Sequence, residues 1–488
     1  MSPGKTRTGA KKGTRAPTGK AAPPPIEPVA HFTVAERAAR GKAARVEVPR
    51  GTHGSWQASP VRADPVELLE EQAKTRVEEL VPIRYGRMLV SPFTFFRGAA
   101  YIMAADLAGT PRTGLHVQLC GDAHLSNFGV YAAPDRRLVF DTNDFDETLP
   151  GPFEWDVKRL VASFAVAGRD RGFDKRRRRA INLAVSRSYR EAMAAFASMP
   201  TLDLWYSRID SDDIYALMTR EVSAKAIKRA ERSEAKARTR DSLAAFKKLT
   251  RMVDGEPRIV SDPPLIVPIS ELFSGEEAME GTRLVIREYR RTLQGDRRHL
   301  LERFRLVDAA RKVVGVGSVG TRAFILLLLG RDDEDPLFLQ MKEAQASVLE
   351  PFLGRSGFAN HGQRVVEGQR LMQAASDTML GWIHVTGADG VERDYYLRQL
   401  WDSKGSALID AMEPRTMEAY AELCGQTLAR AHARSGDAVA ISSYLGTSDA
   451  FDRALAVFAE AYADQSERDY AALKAAADSG RIEVQTGL

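Results

Sequence analysis

The run VVGVGSVGTRAFILLLLG, residues 313–330, narrows more than any other what this chain can fold into. Gly315, Gly317 and Gly320 make G-x-G-x-x-G, which in a dinucleotide-binding fold leads from a strand into a helix. Here the glycines lead into TRAFILLLLG, an apolar, strand-sized run that reads as a second strand. A glycine-rich hairpin is the reading that fits. Strand-like DPLFLQMKEA follows, then helix-like HGQRVVEGQRLMQAASD, then LGWIHVTGADGVERDYYLRQLWD, in which GADG at 387–390 is a turn between two strand-like runs. The predicted order from Val313 is therefore strand, turn, strand, strand, helix, hairpin.

The rest of the chain is helical around one acidic stretch. With 488 residues, two or three domains or lobes are expected. DPVELLEEQAKTRVEELV offers an N-cap Asp64 and a proline at the first helical position, so folded structure is expected to begin there. FTFFRGAAYIMAADLAG, 93–109, reads as one buried helix, HVQLC (116–120) and RRLVFD (136–141) as strands around a loop, and 174–255 as strongly helical. Amphipathic helices are predicted from Pro414 to the end. Residues 1–60 read as a disordered basic tail, since the first thirty hold six Lys or Arg against one Glu. That tail and the basic 222–251 segment suggest weak nucleic-acid contact, against a plainer reading as solvated charge. Two cysteines, Cys120 and Cys424, exclude a disulfide framework and a multi-Cys zinc cluster. No apolar run reaches the length needed to span a bilayer, so a cytoplasmic protein without membrane contact is expected.

Two segments carry chemistry. FLQMKEA puts Lys342 on a strand among Phe338, Leu339 and Met341, where a buried ammonium needs a negative partner. Glu367 is the predicted carboxylate, with Glu350 the runner-up; alternatively Lys342 points outward and reaches water. Protein kinases cover ATP phosphates with a glycine-rich hairpin and pair them with a lysine on a following strand. CGDAHLSNFGVYAAPDRRLVFDTNDFD, 120–146, supplies D-x-x-x-x-N in Asp122 and Asn127, then a strand, then Asp144 followed by Phe145. In that arrangement Asp122 orients the nucleophile, while Asn127 and Asp144 hold magnesium, with Asp141 and Asp146 as supporting or alternate ligands. His124 is placed to hydrogen-bond the metal Asp or the transferred phosphate, or is a satisfied loop histidine. Asp135 reads as a turn residue. Arg97, a charge in an apolar stretch, is expected beside a carboxylate near this loop. Standing alone, GDAHLSN is an ordinary capped turn.

GDAHLSNFG with NDFDETLPGPFEWDVKRL resembles the HGD-x-H-x-x-N and ID-x-x-x-x-x-GDP-x-x-D pattern of aminoglycoside-phosphotransferase-like kinases, with Asp144 and Asp156 at the matching separation. Cys120 stands where those relatives carry His. From about residue 64 the chain also resembles the bacterial domain-of-unknown-function 2252 family, through RYGRM, SPFTFFRGA, CGDAHLSNFG, NDFDET, KVVGVGSVGTR and YYLRQLWDSKGS. The kinase resemblance implies an α+β, protein-kinase-like two-lobed fold. The loop at 121–127 precedes the glycines at 315–320, the reverse of kinase order, which implies circular permutation. On this reading 61–310 form a large helical lobe, with catalytic and metal loops at 115–160 and a helical insertion at 174–255. Residues 311–412 then form a small β-rich nucleotide-binding lobe, YYLRQLWDSKG holds the hinge, and 413–488 return to the large lobe. The implied function is ATP- and Mg²⁺-dependent phosphotransfer to an unknown acceptor. A nucleotide-binding regulatory module without turnover, AMP transfer, and a basic nucleic-acid scaffold are the competing readings.

Overall fold

The computed structural model describes residues 30–211, 242–273, 275–387, 389–400 and 405–488, with a few isolated positions between 212 and 241. Residues 1–29 of the expected basic tail, most of the charged segment before Ser242, and residues 401–404 of the expected hinge lie outside the described residues.

The chain is mixed α+β, with antiparallel sheets and a C-terminal set of helices. Its strands are β1 (His116–Leu119), β2 (Phe128–Ala132), β3 (Leu138–Thr142), β4 (Leu149–Pro152), β5 (Ile209–Asp210), β6 (Thr250–Val253), β7 (Glu256–Ile259), β8 (Ile266–Pro268), β9 (Arg305–Lys312), β10 (Ala323–Leu329), β11 (Pro336–Ala344), β12 (Gly381–Thr386), β13 (Glu392–Gln399) and β14 (Gly405–Ser406). The largest sheet has six strands in the order β12-β13-β11-β10-β9-β8. β10 and β11 are buried along almost their whole length, as their unbroken apolar runs require. The helix His361–Met372 packs on β12 and β13 of this sheet. Of the sheet's strands, β8 precedes the expected boundary at 311 and β9 runs across it, and the glycine-rich segment connects β9 to β10 as a loop.

The second body is helical. Phe153–Asp170 is buried on nearly every face and runs through its core, and Lys175–Ser198 packs along Pro414–Ser435. Ala450–Asp478 closes over these helices, with Phe451, Leu455, Phe458 and Ala459 in the same core. No described helix is long and apolar enough to cross a membrane.

Three expectations are corrected. Folded structure begins before Asp64: Val34–Glu47 is a helix closed by a capping box between Thr33 and Glu36, and it docks on Ala438–Leu445. The expected single helix over 93–109 is two, Pro92–Gly98 and Ala100–Ala108. The Gly98 carbonyl at the break accepts a hydrogen bond from buried Arg84 at 3.2 Å, a partner no local pattern reveals. The two strands expected around the acidic loop are present, and their partners lie elsewhere: β1 pairs with β4, and β3 with β2. β4 reads LPGP, whose two prolines conceal a strand from propensity. Within the expected helical stretch 174–255, the helix Ser242–Leu249 gives way to the β6–β7 hairpin, turned by Asp254 and Gly255 at positive φ.

Candidate active site

Three segments far apart in sequence converge on one cleft of about 930 Å³: the acidic loop of 120–147, the glycine loop of 313–322, and the helices around 71–101. Asp122, His124, Asn127, Asp144, Gly315 and Gly317 all line it.

The acidic loop is fixed from below. Asp156, in the first turn of the 153–170 helix, accepts from the Cys120 amide at 2.8 Å and the Gly121 amide at 3.0 Å, and His432 Nε2 meets it at 3.2 Å. Gly121 has φ of 81°, and a Cβ there would stand 2.3 Å from the Glu147 carbonyl oxygen, so only glycine fits the approach. The Asn127 amide donates to the Asp122 carbonyl at 2.8 Å, closing the loop across its five residues. One turn beyond Asp156, Arg159 Nε donates to Asp122 Oδ1 at 2.6 Å, so the 153–170 helix holds both the backbone and the carboxylate of this loop. Burial raises the pKa of Asp122, against the opposing pull of Arg159. His124 Nδ1 accepts from the Ser126 amide at 3.2 Å, its Nε2 stands 3.9 Å from Asp122, and burial holds its pKa well below the ordinary value. Its Nδ1 is thus taken by its own loop, while the residue lines the cleft. Asp135 caps its turn by accepting from the Arg137 amide, as read from the sequence.

The glycine loop reaches the acidic loop through Lys342. The Lys342 ammonium, on β11, binds Asp146 Oδ2, while Tyr396 of β13 donates to Asp146 Oδ1 at 2.6 Å and Ser318 of the glycine loop donates to Oδ2 at 3.3 Å. Lys342 and Tyr396 are paired neighbours on adjacent strands, so one carboxylate is gripped by the sheet from below and by the glycine loop from the side. Asp146 raises the pKa of Lys342 in spite of burial, and Asp144 adds to that field. Gly315 and Gly320 lie at φ of 70° and 90°, which a side chain would disfavour. Their carbonyls are held by Arg87 Nη1 at 2.7 Å and the Val77 amide at 2.8 Å.

Lys342 therefore does not meet Glu367 or Glu350. Glu367 pairs with Arg370 at 3.0 Å on its own helix, and Glu350 sits at the cleft wall opposite His361. What the 361–372 helix sends to the junction is Arg364, whose guanidinium donates to the carbonyls of Thr148, Asp146 and Gln345 at 2.7 to 2.9 Å. Asp141 also leaves the cleft: in β3 it faces the helical core, where Arg430 Nη2 meets it at 2.5 Å. Asp146 thus serves Lys342, Asp141 serves Arg430, and Asp144 keeps its carboxylate toward the cleft, engaged among the described residues by the Asp146 amide at 3.3 Å. Arg97 feels the charge of Asp122, Asp144 and Asp410, without a direct ion pair among the described residues. Tyr396, Arg159 and Arg364 were missed by sequence reasoning; of these, only Arg159 had a local signal, its i,i+3 spacing from Asp156.

The match to known proteins follows from the same segments. A family profile described as "Uncharacterized protein conserved in bacteria (DUF2252)" matches residues 76–476, most of the chain. The chain belongs to the DUF2252 family. The matched span contains the acidic loop, the glycine loop and Lys342 alike. No curated protein and no solved structure matches this DUF2252 chain.

Among the described residues, no group of three His, Cys, Asp or Glu side chains is gathered as a metal site. Among the donors that line the cleft are two carboxylates and an amide of the acidic loop, Asp122, Asp144 and Asn127. That set suits Mg²⁺, which keeps waters and takes one or two carboxylates plus phosphate oxygens, better than a closed zinc cage.

Glu147, next to this set, carries a pH prediction. Burial pushes its carboxyl up to about 7, although the Val348 amide donates to it at 2.7 Å. A carboxyl raised on folding favours the native state when protonated, so stability should fall as pH rises from about 4.5 to about 7. Glu147→Gln is expected to flatten that slope and gain about 1–2 kcal/mol at pH 8, read by urea unfolding at several pH values. Parallel profiles for the two proteins would refute this.

Proposed function

We propose that this DUF2252 protein is an ATP- and Mg²⁺-dependent phosphotransferase with its catalytic parts in permuted chain order. The observation that carries the reading is the Lys342–Asp146 contact, which joins residues 196 apart, beside a cleft that Gly315 and Gly317 line together with Asp122, Asn127 and Asp144. In kinases the same residue types, a lysine on a strand after a glycine loop, a D-x-x-x-x-N loop and an Asp-Phe pair, serve one cleft. The carboxylate on the lysine is the departure, coming from the acidic loop and not from a helix of the sheet lobe.

In this reading Lys342 and the 315–320 backbone hold phosphates. Asn127 and Asp144 would hold Mg²⁺, which when bound neutralises charge on the phosphates and polarises them. Asp122, fixed by Arg159 and Asn127, orients the acceptor hydroxyl and accepts its proton. Its raised pKa suits that role. The Arg159 clamp on Asp122 also favours a second reading, a nucleotide-binding module without turnover, because it occupies one oxygen of the base.

The test is thermal-shift titration with ATP and Mg²⁺. Wild type is expected to gain stability only when both are present, and Asp144→Asn and Lys342→Ala to lose at least tenfold in apparent affinity. No metal-dependent shift in wild type would sink both readings. Slow turnover of ATP labelled at the γ-phosphate, abolished by Asp122→Asn, separates the enzyme from the binding module, and label followed from the α-phosphate detects AMP transfer.

A further inference from the structure

The segment that precedes the acidic loop brings three arginines to the cleft, Arg84 and Arg97 from helices and Arg76 from the bend after Pro65–Ala73. Arg84 is fully buried; its Nη2 donates to Gln72 Oε1 at 2.9 Å and to the Gly98 carbonyl, while its Nε and Nη1 have no partner among the described residues. Arg97 is half-buried, its Nε is likewise orphaned, and its guanidinium makes no hydrogen bond or ion pair among the described residues. Arg76 spends one nitrogen on the Val319 carbonyl of the glycine loop and leaves its buried Nε unpaired. All three line the same cleft.

A guanidinium removed from water without an anion is costly, and three gathered at one wall are costlier, because each also repels the next. Elsewhere in this protein several buried arginines meet carboxylates, Arg62 with Asp106 and Asp469, Arg190 with Asp452 and Arg430 with Asp141, and buried Arg364 is held by three backbone carbonyls. The cleft arginines have no such match. Glu147 offsets the charge of Arg76 and Asp122 that of Arg97, yet neither forms an ion pair with them among the described residues. Their unpartnered N–H groups are therefore open to an anion from outside the chain.

We propose that Arg76 and Arg97, backed by the buried charge of Arg84, form a subsite for the phosphate groups of a polyphosphate or phosphate-ester ligand. The fork of a guanidinium matches phosphate oxygens in pairs, and several such groups suit a multiply charged anion better than a single carboxylate. Arg76 touches the glycine loop and Arg97 borders Asp122 and Asp144, so phosphate held here lies between the loop and the acidic residues. The assignment rests on the phosphotransferase reading for its place in the reaction, but its chemistry stands on the arginines alone. The phosphate belongs either to the nucleotide or to a phosphorylated acceptor.

The test titrates the full chain with inorganic tripolyphosphate, without Mg²⁺, by calorimetry. Wild type is expected to bind, with Arg97→Gln and Arg76→Gln each weakening binding about tenfold or more. In unaltered protein, tripolyphosphate is expected to shield Arg76 and Arg97 from phenylglyoxal, read by peptide mass spectrometry, which needs no variant to fold. Absence of tripolyphosphate binding, or binding indifferent to both substitutions with both arginines unshielded, overturns the subsite. A parallel loss of Mg²⁺·ATP response in Arg97→Gln assigns the subsite to the nucleotide, and an intact response assigns it to a phosphorylated acceptor. Arginine-dependent tripolyphosphate binding in a protein blind to Mg²⁺·ATP would keep the subsite and discard the phosphotransferase reading.

Discussion

Asp146→Ala is expected to lower stability by about 3–5 kcal/mol and to remove the response to Mg²⁺·ATP together with it. Lys342 is 3% exposed on a strand buried along its length. Its ammonium has Asp146 as ion-pair partner, with Ser318 Oγ at 3.4 Å and the Tyr396 ring 5.5 Å away. Without the carboxylate, a hydroxyl and a ring face would have to stabilise a buried cation, and neither replaces a charge. The Tyr396 hydroxyl would lose its acceptor in the same step. Urea unfolding reads the loss. The control is Asp146→Leu with Lys342→Met, which removes both charges and should recover much of the stability while leaving ligand response absent. A cost below about 1 kcal/mol for Asp146→Ala would mean that Lys342 has found water or another anion, and the junction between the glycine loop and the acidic loop would not be what holds the cleft.

Asp141→Ala is expected to cost a similar amount, about 3–5 kcal/mol, and to leave the Mg²⁺·ATP response in place. Arg430 and Asp141 are both almost fully buried, and Arg430 Nε and Nη1 are already without partners among the described residues. Asp141 also accepts from the Ala374 amide at 3.1 Å. Its loss would strand a guanidinium in the helical core, far more costly than the loss of a surface pair. Asp141→Asn keeps the hydrogen-bond shape and serves as the milder variant if the alanine protein does not fold. Thermal shift with and without ligand separates the two carboxylates: Asp141→Asn should start from a lower Tm and shift normally, whereas Asp144→Asn should start near wild type and fail to shift. Loss of the ligand response in Asp141→Asn with stability unchanged would reverse the assignment of these two residues.

Local pattern gave much of the fold. The strand after the glycines, the Lys-bearing strand, the helix at 361–372 and the hairpin that follows were all legible, because burial of an apolar face imposes a period that sequence displays directly. What local pattern misread depends on distant contacts. The helix over 93–109 breaks where Arg84 takes a carbonyl, and β4 is a strand because β1 pairs with it, its two prolines notwithstanding. The same division runs through the site. That a buried Lys342 needs an anion follows from its strand, but Glu367 was the expected anion and points instead to Arg370.

The sequence by itself determined which chemistry was available: a glycine loop able to take positive φ, a lysine amid apolar strand residues, and an aspartate and an asparagine at fixed spacing beside a run of carboxylates. Only the tertiary structure decided how Asp141, Asp144 and Asp146 divide their work, since they lie within six residues and look interchangeable in one dimension. In space the strand sends Asp141 to Arg430, and the turn beyond it leaves Asp144 to the cleft and delivers Asp146 to Lys342. Spacing fixes the direction of a side chain relative to its own element, but a partner 196 residues away is set by how the two bodies pack.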